Sequence, residues 1–165
     1  GLRGELKKLQ KNLGITTLYV THDQEEALTL SDRIAVFNNG FVEQVDKPYN
    51  IYNHSGSEFV CDFIGEINRL NASVLSEITT QTGHALDGSK GGYVRLERIR
   101  LNEIPGYAKL HGVIRDYDYN GVMTKYRVEV MGCELRVIHV NDGQPFMEIG
   151  QELDIYVNPR DIMQF

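Results

Sequence analysis

The sequence predicts a short α/β region followed by an all-β region that folds as a small antiparallel barrel. Three observations carry this prediction. Up to about residue 65, apolar residues at helical spacing alternate with short β-branched runs. After about residue 68, apolar and polar residues alternate with a period of two in several segments. Glycines separate those segments at positions 112, 121, 132, 143 and 150, which is typical of strands joined by turns.

The first two predicted elements are an amphipathic helix and a buried strand. Leucines at positions 2, 6, 9 and 13 recur at helical spacing and predict a helix whose leucine stripe faces a core. Gly14 follows as a C-terminal stop. The run ITTLYV, residues 15–20, shows no clean alternation, which is typical of a strand buried on both faces of a parallel sheet.

Helix and hairpin signals continue up to Gly65. Asp23 is placed to cap a helix over residues 24–30, with Glu26 as its capping-box partner. The Asn39-Gly40 dipeptide between two apolar runs predicts a β-hairpin. A proline at a helix start and an apolar stripe then predict two further short helices, from Pro48 and through Phe59, Val60, Phe63 and Ile64.

Three segments of the C-terminal region carry apolar residues at every second position. Each predicts a strand with one face in a core, because successive side chains of a strand point to opposite faces. These segments are residues 126–130, 133–137 and 153–157.

Composition excludes several classes of protein. The 165 residues have a formal net charge of −6, whereas phosphate contacts need a surplus of Lys and Arg. No apolar run approaches the roughly 18 residues that a membrane span requires. Cys61 and Cys133 lie far apart and form no CxxC pair, as in reduced cytosolic proteins. We therefore expect a cytosolic protein that binds no nucleic acid.

His22 is the candidate functional residue. It follows the predicted 15–20 strand and precedes a helix start, and ligands of α/β sheets bind at the carboxyl ends of strands. The backbone N–H groups and positive dipole end of a helix start favour an anion such as phosphate. A lone histidine is more often structural than functional, so the residues around it decide.

His22 lies in the first of several short motifs that follow one another along the chain. They are Thr-His-Asp-Gln-Glu-Glu-Ala at 21–27, Ser-Asp-Arg-Ile at 31–34, Asn-Gly at 39–40, Pro48, and Ile-Tyr at 51–52. Their order closely resembles the end of the nucleotide-binding domain of ABC-type importer ATPases, over about the first 65 residues.

The remainder resembles the C-terminal half of the same subunits. Residues 59–70, FVCDFIGEINRL, look like the junction into a TOBE-type regulatory barrel in the importer subfamily for sugars, polyamines and ferric iron, and FIGEIN leans toward the spermidine/putrescine branch. Residues 93–101 are similar to the family's Val-Arg-Pro-Glu segment, with Leu96 in place of the proline. Residues 157–165 resemble the closing strand. The resemblance thus implies an α/β remnant of a nucleotide-binding domain at 1–66 and an OB-like, TOBE-type barrel at 67–165.

The resemblance also implies a role for His22 and a set of partners. The matched histidine of the family, its switch histidine, contacts the γ-phosphate of ATP and helps to position the attacking water, whereas Asp23 and Glu26 only shape the helix start. ATP and Mg are the implied cofactors of the intact protein. The implied partners are a second copy of the subunit, transmembrane permease subunits and a solute-binding protein, at the inner face of the cell membrane. The barrel is expected to serve regulation or dimerisation.

Three motifs that ATP hydrolysis needs do not occur in these 165 residues. There is no GxxxxGK[ST] phosphate loop, no Leu-Ser-Gly-Gly signature and no Walker B strand, and the Gly-rich run at 88–92 lacks the required spacing. We therefore expect a C-terminal fragment that neither hydrolyses ATP nor holds a cofactor alone. Because the 15–20 strand would then lack its neighbours, we expect residues 1–45 to pair or exchange between chains, or to be partly disordered.

An alternative reading is a stand-alone small-ligand or oxyanion-binding module of the TOBE type. A basic pocket between two barrels would favour it, built from Lys109, Arg115, Lys125, Arg127 or Arg136. The other histidines show no metal-ligand spacing and are expected at the surface or in the barrel, at positions 54, 84, 111 and 139.

Overall fold

A computed structural model describes all 165 residues, which form two compact units, residues 1–65 and 66–165. The first unit contains helices and one hairpin, and the second contains one helix and antiparallel strands. The predicted fold class, a short α/β region followed by an antiparallel β domain, is confirmed.

Four helices and one β-hairpin make up the first unit. In chain order they are α1 (Leu2–Leu13), α2 (Gln24–Leu30), β1 (Ile34–Asn38), β2 (Phe41–Asp46), α3 (Pro48–Asn53) and α4 (Glu58–Phe63). The predicted hairpin turn is confirmed, because Asn39 and Gly40 both have positive φ, at 49° and 82°. The buried core of the unit consists of Ile34, Val36, Ile51, Val60 and Ile64.

The leucine stripe of α1 does not face a core, so that prediction is wrong. Its leucines are between 43% and 73% exposed. The helix instead meets α2 through polar groups, because the Lys7 ammonium donates to the Thr29 carbonyl at 3.0 Å and Arg3 pairs with Asp23 at 3.0 Å. No apolar surface of the first unit covers the stripe.

Residues 15–20 do not form a strand, so the prediction of a doubly buried strand is also wrong. Leu18 and Val20 are 91% and 85% exposed. A strand needs a partner for its backbone groups, and β1 and β2 pair only with each other. β-Branched composition alone therefore does not produce a strand here. The expected pairing of this region between chains stays a prediction.

Six strands and one α-helix make up most of the second unit, with two short 3-10 helices at Leu96–Arg98 and Pro159–Asp161. The strands and the α-helix are β3 (Ile67–Leu70), α5 (Ala72–Thr82), β4 (Gly92–Arg95), β5 (Ala108–Tyr119), β6 (Met123–Val130), β7 (Cys133–Val140) and β8 (Glu152–Val157). The four long strands form an antiparallel sheet in the order β7-β6-β5-β8, and β3 pairs with β4. The three strands predicted from period-two alternation are β6, β7 and β8, and they are confirmed.

Helix α5 lies where only strands were expected after residue 68. Asn71 caps it by accepting a hydrogen bond from the Val74 N–H at 2.9 Å, and Gly83 ends it with a φ of 73°. Val74 and Ile78 are fully buried on its inner face. Its β-branched and hydroxyl-bearing residues have low helix propensity, and burial of this face outweighs that preference.

The core of the second unit lies between the main sheet and α5. Tyr126 is fully buried, and its hydroxyl accepts a hydrogen bond from the Met147 N–H at 3.1 Å. Arg95 is only 2% exposed, and its guanidinium donates to the Glu66 carbonyl at 3.2 Å. The buried polar groups are thus satisfied, as a stable core requires.

Candidate functional site

His22 lies in the bend between residues 15–20 and the start of α2. Its side chain is exposed, and no hydrogen bond or ion pair holds it. A neutral imidazole carries one hydrogen-bond donor and one acceptor, so both are available to an incoming group.

Hydrogen bonds on either side fix the bend that carries His22. The Asp23 carboxylate accepts from the Glu26 N–H at 3.2 Å, which confirms the predicted N-cap. The Asp23 N–H donates to the Thr21 hydroxyl at 2.9 Å, and that hydroxyl donates to the Glu26 carboxylate at 2.8 Å. The reciprocal half of the predicted capping box is absent, because Glu26 bonds Thr21 and Tyr19 instead of the Asp23 N–H.

The start of α2 is acidic, and a single arginine, Arg3, lies close to all three of its carboxylates. Asp23, Glu25 and Glu26 lie 3.0, 3.6 and 3.5 Å from the Arg3 guanidinium. The Tyr19 hydroxyl donates to Glu26 at 3.0 Å, and this carboxylate raises the pKa of Tyr19. The carboxylates offset the positive end of a seven-residue helix, so this helix start by itself does not attract an anion.

The residues around His22 do not form a magnesium site. The nearby carboxylates are engaged by Arg3, Thr21 and Tyr19. The chain contains no group of three or more His, Cys, Asp or Glu side chains placed to hold a metal ion. Mg²⁺ is bound by oxygen ligands in near-octahedral geometry, which these residues do not provide.

The basic residues of the alternative reading are all paired with carboxylates. Arg115 meets Glu129 at 2.6 Å, whereas Lys109 meets Asp154 at 3.8 Å. The other three are paired as well: Lys125 with Glu66 at 2.7 Å, Arg136 with Glu66 at 3.0 Å, and Arg127 with Asp116 and Asp118 at 2.8 and 3.1 Å. This set therefore does not form a free basic pocket in the second unit.

One cleft in the second unit was not found from the sequence. It lies among residues 82–84, 105–107 and 158–160 and has a volume of about 460 Å³. His84, which was expected at the surface or in the barrel, lines it together with Arg160. The Pro-Gly and Asn-Pro-Arg turns were the available signals, but no local pattern indicates that they meet.

None of the helices combines the length and apolar character that crossing a membrane would demand.

The chain is similar in sequence to a set of known proteins. Residues 93–165 match the TOBE domain. The chain is 38% identical, over 98% of its length, to the spermidine/putrescine import ATP-binding protein PotA of Borreliella afzelii, of which it covers 48%. It is 38% identical over 96% of its length to the protein of the same name from Bacteroides thetaiotaomicron, covering 35% of it. An ABC transporter ATP-binding protein of Escherichia coli, YdcT, is 42% identical over 79% of the chain, which covers 36% of that protein.

The chain thus spans about half the length, or less, of the curated relatives it matches. The resemblance drawn from the motifs around His22 and in residues 59–70 and 93–101 is confirmed. The chain is a homologue of the ATP-binding subunits of ABC importers, corresponds to a C-terminal part of such a subunit, and includes a TOBE domain.

Proposed function

We propose that this chain is part of the ATP-binding subunit of an importer for polyamines such as spermidine or putrescine. In the complete subunit, ATP binding and hydrolysis drive uptake. The observation that carries the proposal is the similarity, over 98% of the chain, to a protein named for spermidine/putrescine import. That similarity runs through both units and is not confined to the TOBE domain at 93–165.

His22 contacts the γ-phosphate of ATP in the complete subunit and helps to position the attacking water. Its free, exposed imidazole on a bend fixed by Asp23 and Thr21 supports this role. Phosphoryl transfer depends mainly on positioning and charge stabilisation, and an imidazole beside a phosphate supplies both. Asp23 and Glu26 hold the bend and do not take part in the chemistry.

The chain alone does not hydrolyse ATP. Its residues include no phosphate loop, signature or Walker B strand, and the acidic start of α2 offers no cradle for a triphosphate. ATP and Mg are cofactors of the complete subunit, where other residues supply the phosphate and metal ligands.

Residues 1–66 belong to the nucleotide-binding domain, and residues 67–165 form a regulatory barrel that contacts a second copy of the subunit. The further partners are transmembrane permease subunits and a solute-binding protein, at the inner face of the cell membrane. The exposed leucines of α1 and the exposed residues 15–20 support contacts of the first unit with protein surfaces outside this chain.

A chimera tests the proposal. Residues 1–165 replace the matching segment of the Borreliella afzelii relative, which is expressed with its permease and solute-binding subunits. We expect uptake of labelled spermidine at a rate comparable to that of the unaltered relative. A chimera that assembles with the permease subunits but transports no polyamine would contradict the assignment. So would ATP hydrolysis by the 165-residue chain on its own.

A further inference from the structure

Three segments that are distant in sequence meet at one end of the second unit. They are the end of α5 (82–84), the turn before β5 (105–107) and the turn after β8 (158–160). The last two are brought together because Ala108 of β5 pairs with Val157 of β8. The cleft between the three segments has a volume of about 460 Å³, within the range of about 300–1,000 Å³ that small-molecule sites occupy.

The walls of the cleft are held by hydrogen bonds that do not depend on a ligand. The Gln81 side chain joins the end of α5 to β5, because its amide donates to the Lys109 carbonyl and its oxygen accepts from the Lys109 N–H, both at 2.7 Å. The Asn158 side chain accepts from the Arg160 N–H at 3.1 Å, and Pro159 between them is buried. A site with fixed walls loses little freedom when it binds, and this favours affinity.

The cleft contains hydrogen-bond donors without partners and no carboxylate. Arg160, His84 and Tyr107 line it, and none of these side chains makes a hydrogen bond or ion pair. The nearest carboxylate in sequence, Asp161, is engaged by Arg98 at 3.3 Å. Arg160 and His84 are exposed, and Tyr107 is half-buried. An unpaired arginine beside lining residues that include no carboxylate favours an anion over a cation or an uncharged ligand.

The end of α5 influences which part of a ligand can lie beside it. The helix ends at Thr82, and both Thr82 and Gly83, which has a φ of 73°, line the cleft. Carbonyl oxygens accept hydrogen bonds, and the negative end of the helix opposes an anion placed directly against it. A ligand therefore fits best with its charge at Arg160 and its hydroxyl groups toward α5.

We propose that this cleft binds a small hydroxylated anion. Its phosphate or carboxylate group lies against Arg160, and its hydroxyl groups contact His84, Tyr107 and the carbonyl end of α5. Such a site is separate from the role of His22 in ATP hydrolysis and gives the TOBE domain a ligand of its own. None of the cleft's lining residues is one of the basic residues of the oxyanion-binding alternative, Lys109, Arg115, Lys125, Arg127 and Arg136.

Calorimetric titration of the 165-residue chain with glycerol 3-phosphate tests the site, with glycerol as the uncharged comparison. We expect saturable 1:1 binding of glycerol 3-phosphate, weakened about tenfold or more in Arg160→Gln. Tyr107→Phe removes one hydroxyl and should weaken binding by a smaller factor. The matched control is Arg115→Gln, which makes the same charge change at an exposed arginine that pairs with Glu129.

Thermal unfolding of each variant tests whether it remains folded. Equal binding of glycerol and glycerol 3-phosphate would overturn the assignment of an anion site. Equal losses in Arg160→Gln and Arg115→Gln would overturn it as well, because the effect would then follow net charge alone. Absence of binding at 10-millimolar concentrations, on the order of the weakest affinities that matter here, would also refute the proposal.

Discussion

Substitution of Asn68 by alanine tests how the second unit protects the edge of its main sheet. Strand β7 lies at one end of the order β7-β6-β5-β8, so one side of its backbone has no strand partner. Asn68 of β3 fills that side: its amide donates to the Arg136 carbonyl at 2.8 Å, and its oxygen accepts from the Arg136 N–H at 2.8 Å. Asn68 itself is only 2% exposed.

The expected loss follows from these two bonds. Alanine removes both and leaves the N–H and the carbonyl of Arg136 without partners. A buried polar group left unsatisfied costs about 1–3 kcal/mol. Because Arg136 is only half-buried, we expect the lower part of the range for two groups, a fall of about 2–4 kcal/mol in the free energy of unfolding. With an m value of about 2 kcal/mol per molar urea, typical of a small domain, the unfolding midpoint moves down by about 1–2 M.

Urea unfolding and amide hydrogen exchange measure the effect. We expect the Arg136 amide to exchange much faster in Asn68→Ala, because its acceptor has gone. The control is Asn102→Ala, at an exposed asparagine without a hydrogen-bond partner. A loss below about 0.5 kcal/mol, the usual size of a neutral surface change, together with unchanged exchange at Arg136 would refute the reasoning.

Three further predictions concern packing, pH and assembly. A Cβ at Gly112 would lie 2.5 Å from Val128 Cγ1 and 2.8 Å from Val130 Cγ2, so Gly112→Ala should lower the free energy of unfolding by about 1–3 kcal/mol in urea melts. Asp154 at 3.3 Å, followed by Glu152 at 3.5 Å, raises the pKa of His111, so its contribution to stability is complete below about pH 6.5 and is lost as pH rises through the raised value. The stability difference between wild type and His111→Gln should therefore shrink with rising pH, and added salt should reduce it. Light scattering should find residues 66–165 dimeric without the first unit, because the barrel is proposed to contact a second copy.

Each of these has an outcome that contradicts it. Wild-type stability in Gly112→Ala would show that β5 and β6 can separate without cost. An NMR titration midpoint of His111 at or below about 6.5 would remove the proposed effect of the two carboxylates. Monomeric residues 66–165 beside a dimeric full chain would place self-association in the first unit.

Elements with strong local signals could be predicted from the sequence. The Asn39-Gly40 turn requires positive φ at both residues, and few sequences other than Asn-Gly supply it. The Asp23 cap acts over three residues, and the period-two strands β6 to β8 carry their burial pattern in their own residues.

Elements that depend on distant partners could not be predicted. Residues 15–20 have strand composition, but a strand forms only beside another strand. The α1 leucines have core spacing, but no apolar surface of their unit covers them. Helix α5 forms despite low helix propensity because Val74, Leu75 and Ile78 become buried.

The two candidate sites also differ in how far they could be predicted from the sequence. The position of His22 follows from the motifs beside it, whereas the acidic surroundings of that bend depend on Arg3 and Tyr19, which lie outside the motif. The cleft at Arg160 is formed by three segments that lie more than 20 residues apart, so no pattern of neighbouring residues predicts it.

ATP hydrolysis by the assembled chimeric importer tests the central claim most directly, with His22→Ala compared against His139→Ala. His139 is a half-exposed histidine of β7, with only a 4.0 Å contact to Asp142. The account predicts that His22→Ala lowers the turnover of ATP about a hundredfold, the usual effect of removing one transition-state hydrogen-bond donor, and that His139→Ala leaves it unchanged. Equal turnover of ATP in the two variants would contradict the assignment of His22 to the γ-phosphate.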